Sequence, residues 1–296
     1  AGDYASNPEM VEKYCPQAVG IKCSYASGDN TGDGQLMGMW VGGKVQRWQH
    51  APMIHFGPED CPMIGAFAAT PWLWINTRGE RFCDEDMPFN QACWAVQRQP
   101  ENFHWTIFDS TFKEQWPLLG GLARWTRGVI GTLSDPAVPF GVEKGNAYLD
   151  GGMQTFLETG GLVKGDTLEE LAANIKVPAD TFVATVKRYN QMVDKGVDED
   201  FGKRERYLTP TSVKVGPFYA APHRSTLLTV PGGGVLVNTK LQVLDENDKV
   251  IPGLYATGNC AGGFYGQDYP LMFSGNSMGR ATTWGYLVGE SVVKEG

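Results

Sequence analysis

The tail of this 296-residue chain constrains its fold more than any other stretch. Gly253-Leu254-Tyr255-Ala256-Thr257-Gly258-Asn259 leads to Tyr269-Pro270, then to Ser274-Gly275-Asn276-Ser277, and then into a long closing helix. The pattern reads as a buried strand, a Gly-rich turn with a polar side chain at its tip, and a helix that starts after a Gly-Asn-Ser break. A helix start has N–H groups without intrahelical acceptors and about half a unit of positive charge, so the layout suits an electron-rich group. An ordinary strand-to-helix junction also ends in Gly, and the tail alone leaves both readings open.

The length allows one large domain or two smaller ones, and two are expected. With 25 Lys and Arg against 33 Asp and Glu the net charge is −8, and no basic run interrupts it. That disfavours nucleic acid or an anionic membrane surface as a partner and favours a small molecule. The cysteines, Cys15, Cys23, Cys61, Cys83, Cys93 and Cys260, include no C-x-x-C pair, which argues against an iron–sulfur, structural zinc or covalent haem site. Free buried thiols are the expectation in a chain this long, while disulfide state and redox compartment stay open. The histidines, His50, His55, His104 and His223, show no metal-ligand spacing.

No apolar run is long enough to cross a bilayer. The opening Ala1-Gly2-Asp3-Tyr4-Ala5 reads as neither a signal peptide nor a natural start. The expectation is a soluble protein, cytoplasmic or exported with its signal lost from this chain, whose upstream part is absent. A dinucleotide fingerprint, G-x-G-x-x-G after an apolar strand, has its nearest match in Gly32-Asp33-Gly34-Gln35-Leu36-Met37-Gly38. The last glycine there comes one residue late, and no apolar strand precedes it.

Asn7-Pro8-Glu9-Met10 has the polar cap, early proline and early acid of a helix start. The loop Ser27-Gly28-Asp29-Asn30-Thr31-Gly32-Asp33-Gly34 leads into a second helix over 35–41. From Trp48 the texture changes: seven of the nine tryptophans fall between Trp48 and Trp125, a density that suits a core and also a surface for a flat substrate. Trp72 to Asn76, a turn at Thr77-Arg78-Gly79-Glu80, and Arg81-Phe82-Cys83-Asp84-Glu85 predict a hairpin. Gly165-Asp166-Thr167-Leu168-Glu169-Glu170-Leu171 predicts a helix with a reciprocal cap of the Ser/Thr/Asp to Glu type, and Val177-Pro178 opens another carrying Phe182, Val186 and Tyr189 at helical spacing. Residues 233–238 and 241–245 predict a small hairpin.

Taken together, these segments resemble the fumarate reductase and 3-ketosteroid dehydrogenase superfamily of FAD-dependent flavoproteins, and the resemblance runs over nearly the whole chain. It rests on the NPEM segment at Asn7, the NTGDG motif at Asn30, the RFxNE-like segment at Arg81, the GDTLEELA run at Gly165, the Tyr189-Asn190 pair with Asp200-Phe201-Gly202, and the GLYATGN strand. The resemblance implies a partial α/β flavin-binding domain lacking its N-terminal Rossmann half, discontinuous at 1–47 and 217–296. An inserted α+β substrate-capping domain would occupy 48–216. It also implies FAD as cofactor, with Thr31, Gly32, Asp33, Gly258, Asn259, Gly275, Asn276, Ser277 and Met278 beside it. Asn259 would bond the ribityl or ribose hydroxyls, and the N–H groups of Ser277 and Met278 would face the flavin N1/C2 carbonyl.

Where the fumarate reductases carry an acid-donating Arg, this chain has Phe89, and Leu228-Thr229-Val230-Pro231 stand in place of their His pair. Phe can neither donate a proton nor hold a carboxylate, so fumarate itself is disfavoured. Tyr269-Pro270 and Trp284-Gly285-Tyr286 resemble the ketosteroid dehydrogenase branch instead, whose Tyr hydrogen-bonds a substrate carbonyl. Tyr269 is thus the first catalytic candidate, with His55 and His223 as rivals. The implied activity is oxidoreduction, reductive rather than dehydrogenating, of a C–C bond beside a carbonyl or carboxylate of a small organic molecule. Its partners would be the missing N-terminal half and an unidentified electron donor, and the isolated chain is expected to be inactive. The competing expectation is a flavin-free structural or binding fragment.

Overall fold

The computed structural model of the chain describes residues 2–21, 28–57, 70–119, 141–270 and 275–295. The chain divides into two compact units, Ala1–His55 with Thr226–Gly296, and Phe56–Ser225. It opens with α1 (Pro8–Tyr14), α2 (Asp33–Trp40) and β1 (Ala51–Gly57). The second unit follows with β2 (Leu73–Ile75), α3 (Phe89–Gln97), β3 (Phe103–Asp109), α4 (Phe112–Gln115) and α5 (Gly141–Thr159). It continues through β4 (Val163–Gly165), α6 (Leu168–Ile175), α7 (Ala179–Lys195) and α8 (Glu205–Leu208). The strand β5 (Phe218–Gly232) then carries the chain back to the first unit, which ends with β6 (Gln242–Leu244), β7 (Val250–Tyr255) and α9 (Asn276–Glu295). The division between the units falls at 55/56 and at 225/226, the second within β5.

In the second unit β3 is antiparallel to β2, with Leu73 opposite Ile107, and to β5, with Phe103 opposite Arg224 and Asp109 opposite Phe218. Strand β4 pairs with β5, Val163 opposite Ala220. Successive strand residues point to opposite faces, and here both faces are covered. Leu73, Ile107 and Ala220 enter one core with Leu171, Phe182, Val186 and Tyr189, while their neighbours Trp72, Phe108 and Ala221 enter another with Phe112, Trp116 and Phe156. Burial on two sides explains why Trp72-Leu73-Trp74-Ile75 is a continuous apolar run rather than an alternating one.

The helix ends follow local chemistry. Thr167 caps α6 by accepting the Glu170 N–H at 3.1 Å, and Glu170 Oε2 accepts the Asp166 N–H at 2.9 Å. Helix α7 turns Phe182, Val186 and Tyr189 inward and ends at Gly196 in the left-handed region, φ 73°. In the first unit Asn7 caps α1 through the Met10 N–H at 3.1 Å.

The hairpin expected over 72–85 is reduced to one bridge, Ile75 to Arg81, closed by the Asn76 N–H to the Glu80 carbonyl at 2.9 Å. Its second arm leaves the ladder because its side chains turn into a buried ionic cluster. Arg81 binds both oxygens of Glu85 and both of Asp198, each at 2.8 Å. Lys203 Nζ lies 3.3 Å from Glu85 and donates to Tyr189 Oη at 2.7 Å.

Two glycine runs close the first unit. A Cβ at Gly262 would meet the Gly234 carbonyl at 2.6 Å, so only glycine lets these backbones join as they do, Val235 N–H to Cys260 O at 3.0 Å and Gly262 N–H to Val235 O at 2.8 Å. The hairpin expected over 233–245 appears as the bridge Val237–Val243 with Leu244 N–H on Leu236 O at 2.9 Å, and β6 pairs on its other side with β7. The strand expected to be buried, β7, is exposed or half-exposed along its length. Among the described residues it pairs only with β6, and a two-stranded ribbon does not cover it.

Cys15, Cys83, Cys93 and Cys260 are free and buried, while Cys23 and Cys61 lie outside the described residues. Among the described residues no helix is long and apolar enough to cross a membrane, and no group of three or more His, Cys, Asp or Glu is placed to hold a metal ion.

Candidate functional site

The residues singled out in the tail and in the Thr31 loop meet within the first unit. Asn7 Nδ2 donates to the Thr31 carbonyl at 2.9 Å, and Thr31 Oγ1 to Asp33 Oδ1 at 2.8 Å. Gly32 stands at φ 83° as the residue before α2, where a side chain would run into Met10 and Tyr4. From the first turn of α2, buried Gln35 reaches the Asn259 carbonyl at 2.9 Å. That bond joins the Thr31 loop to the turn Gly258–Cys260.

Asn259 is the hub. Its Oδ1 accepts Ser277 Oγ–H at 2.8 Å and Arg280 Nη2 at 3.1 Å. With the oxygen doubly engaged, the amide is oriented so that Nδ2 is left as a donor. The Ser277 N–H, at the start of α9, donates to Tyr269 Oη at 2.9 Å. The phenol oxygen therefore accepts from a helix N-terminus. Tyr269 is 5% exposed and packs with Tyr265 and Ala51, the Tyr rings 5.0 Å apart edge to face. Burial pushes the Tyr265 hydroxyl up to about 12, which keeps it protonated at neutral pH.

Gly275, at φ 77°, and Gly279 have open space where a Cβ would sit, and Met278 is exposed. The backbone at the start of α9 is thus approachable. The Ser277 N–H, expected to face a flavin carbonyl, is engaged by Tyr269 in this structure, while Thr31 and Asp33 bond each other.

The histidines separate. His223 lies in the second unit as the cross-strand partner of His104, the ring centroids 5.4 Å apart. It is 1% exposed, both its ring nitrogens are unpartnered, and burial, with His104 beside it, pushes its pKa well below the ordinary histidine value. A histidine held neutral in that way has no proton to spare as an imidazolium. His55 falls in β1, its side chain outside the described residues, as is that of Phe89 at the start of α3. His50 is structural: Tyr4 Oη bonds Nδ1, and Nε2 lies 3.1 Å from the Gln46 carbonyl.

Sequence reading passed over Gln35 and Arg280. The signal for Arg280 was present, since Asn276, Arg280 and Trp284 recur at i, i+4 and i+8 on one helical face.

Comparison with known proteins adds identity to this geometry. The family profile described as FAD binding domain matches residues 1–276. The chain is 30% identical to 3-oxosteroid 1-dehydrogenase of Mycolicibacterium smegmatis, over 97% of this chain and 50% of that protein. It is 29% identical to vinyl phenol reductase of Lactiplantibacillus plantarum, over 95% and 56%. A solved flavocytochrome c3 fumarate reductase in an open conformation superposes with a TM-score of 0.67 at 26% identity, over 99% of this chain and 45% of that one. The chain thus spans about half the length of the relatives it matches.

Proposed function

The chain belongs to the FAD-binding-domain family of flavoproteins that holds the fumarate reductases and ketosteroid dehydrogenases, its cofactor is FAD, and we propose that it forms the flavin-facing and capping portion of an oxidoreductase acting on C–C bonds. The substrate class is a small organic molecule whose C–C double bond lies beside a carbonyl or carboxylate, and reduction is the favoured direction. Two of the three relatives above are named reductases. In this reading the unit Ala1–His55 with Thr226–Gly296 holds FAD, and Phe56–Ser225 is the inserted α+β cap.

The residues fit such a cofactor. Asn259 presents a fixed amide donor, Arg280 carries buried nitrogens without acceptors, and the glycines at the start of α9 leave room for a ring edge. FAD supplies hydride exchange at its N5. The chain's own groups bind, orient and move the proton: Asn259 holds the cofactor through Nδ2, α9 offers a positive end, and Tyr269 donates its phenolic proton to the substrate. The observation that carries this reading is the Ser277 N–H bond to Tyr269 Oη, which fixes the phenol at the start of α9 beside Asn259.

In the full-length protein, Asn259→Leu should weaken FAD binding by roughly 1–3 kcal/mol, the loss of one buried hydrogen bond. Titration of apoprotein with FAD checks it, and unchanged affinity removes Asn259 from the site. We further propose that residues outside the chain share the FAD contacts. The isolated chain should therefore bind FAD weakly, show no flavin absorbance after purification and be inactive. Tight stoichiometric FAD on the chain alone refutes that sharing.

A further inference from the structure

Arg280 points inward from the second turn of α9 and is 5% exposed. Its Nη2 donates to the carbonyls of Pro231 and Gly258, each at 2.8 Å, and to Asn259 Oδ1 at 3.1 Å. Three rings surround the guanidinium carbon, with the centroids of Tyr265 at 4.8 Å, Trp284 at 5.2 Å and Phe264 at 5.3 Å. Nε and Nη1 are buried without an acceptor, and among the described residues no carboxylate pairs with it. A buried cation without a counter-ion is costly, and arginine does not escape by losing its proton. Aromatic faces offset part of that cost. The second unit shows the contrast, for Arg81, whose side chain is also buried, takes two carboxylates.

We infer that Arg280 is a positioning residue for FAD, which locks the Asn259 amide with Nδ2 toward the cofactor and supplies the fixed positive charge that favours the reduced, more electron-rich flavin. This rests on the assignment of Gly258, Asn259 and Ser277 to the cofactor. The charge belongs behind Asn259 because the three acceptors of Nη2 all lie at the turn Gly258–Cys260 or at the end of β5. A helix N-terminus alone offers about half a charge, screened by solvent, whereas a guanidinium in an aromatic box offers a whole one in a less polar setting.

The test uses the full-length flavoprotein and measures FAD affinity and midpoint potential in Arg280→Gln and Arg280→Lys, with Asn259→Leu as a control on the site. Arg280→Gln should bind reduced relative to oxidised FAD about tenfold less well, a fall of about 30 mV for a two-electron couple. Arg280→Lys keeps the charge and should hold that ratio within about twofold of wild type, while binding FAD more weakly because the fan of Nη2 bonds is lost. A folded Arg280→Gln protein with the wild-type potential overturns the inference, as does an Arg280→Lys protein whose potential falls as far as that of Arg280→Gln. If Arg280→Gln does not fold, Arg280→Lys decides: a retained ratio supports the inference and a tenfold loss overturns it. If Asn259→Leu weakens FAD but neither Arg280 variant moves the potential, only the role of Arg280 fails. If Asn259→Leu leaves FAD affinity unchanged, the placement of the cofactor fails first and the role of Arg280 with it.

Discussion

Tyr269→Phe in the full-length protein is expected to keep FAD bound and reducible by an artificial donor, while turnover of an enone or unsaturated acid falls by on the order of 10²-fold or more. The ring contributes packing against Tyr265 and Ala51, and Phe preserves it. In the proposed role the hydroxyl contributes a proton, and its oxygen is held in place by accepting the Ser277 N–H. Phe removes the proton and keeps the shape, so binding and chemistry separate in one variant. Few groups are placed to substitute. Phe89 has no proton to give, and the ring of His223 is buried, neutral and without a hydrogen-bond partner among the described residues. Full turnover in Tyr269→Phe, together with collapse in His55→Ala or His223→Ala, transfers the proton to a histidine and discards the phenol. A steady-state assay beside a visible spectrum distinguishes the two outcomes.

What the sequence disclosed was governed by distance along the chain. Asn7 and Met10, or Thr167 and Glu170, lie within one helical turn of each other, and their bonds follow from residue type and spacing alone. The same holds for the buried face of α7. The candidate site was proposed from its parts, because Gly258, Asn259, Gly275 and Ser277 sit in a recognisable tail, but its wiring was not legible. Nothing in the chain announces that Gln35 will bond the Asn259 carbonyl or that Tyr269 will occupy the Ser277 N–H. Those contacts depend on loops meeting in space. The exposure of β7 was missed for a related reason: an apolar strand reads as buried, and only the pairing shows that among the described strands β6 alone lies beside it. Arg280 was missed because a helical arginine ordinarily faces water.

The ionic cluster of the second unit was the least legible part, and its disruption is expected to have the largest effect on stability. Lys203, Glu85, Arg81 and Asp198 have side chains no more than 5% exposed, and their formal charges cancel. Burial works to raise the Glu85 pKa, yet Lys203 and then Arg81 outweigh it and hold the carboxylate below its ordinary value. Burial likewise works to lower the Lys203 pKa, and Glu85 with Tyr189 outweighs it and holds the ammonium above its ordinary value. Lys203→Met should cost about 3–5 kcal/mol, because Glu85 loses a cation where water cannot replace it and Tyr189 Oη loses its donor. Denaturant melting checks this, and a shift below about 1 kcal/mol, the scale of an exposed pair, excludes a tightly coupled cluster. Glu85→Gln with Lys203→Met should cost less than the sum of the two single changes, because each removes the charge the other leaves stranded. The pH dependence has a definite sign. The depressed carboxylates Glu85 and Asp198 contribute stability that is fully present above their unfolded values near pH 4 and is lost as pH falls through the lower folded values. The raised Lys203 contributes stability fully present below about pH 10 and lost as pH rises through its folded value. Between those limits the cluster's contribution should stay flat with pH in the wild type, and Lys203→Met should remove the alkaline limb while Glu85, short of one cation, protonates at a higher pH than before.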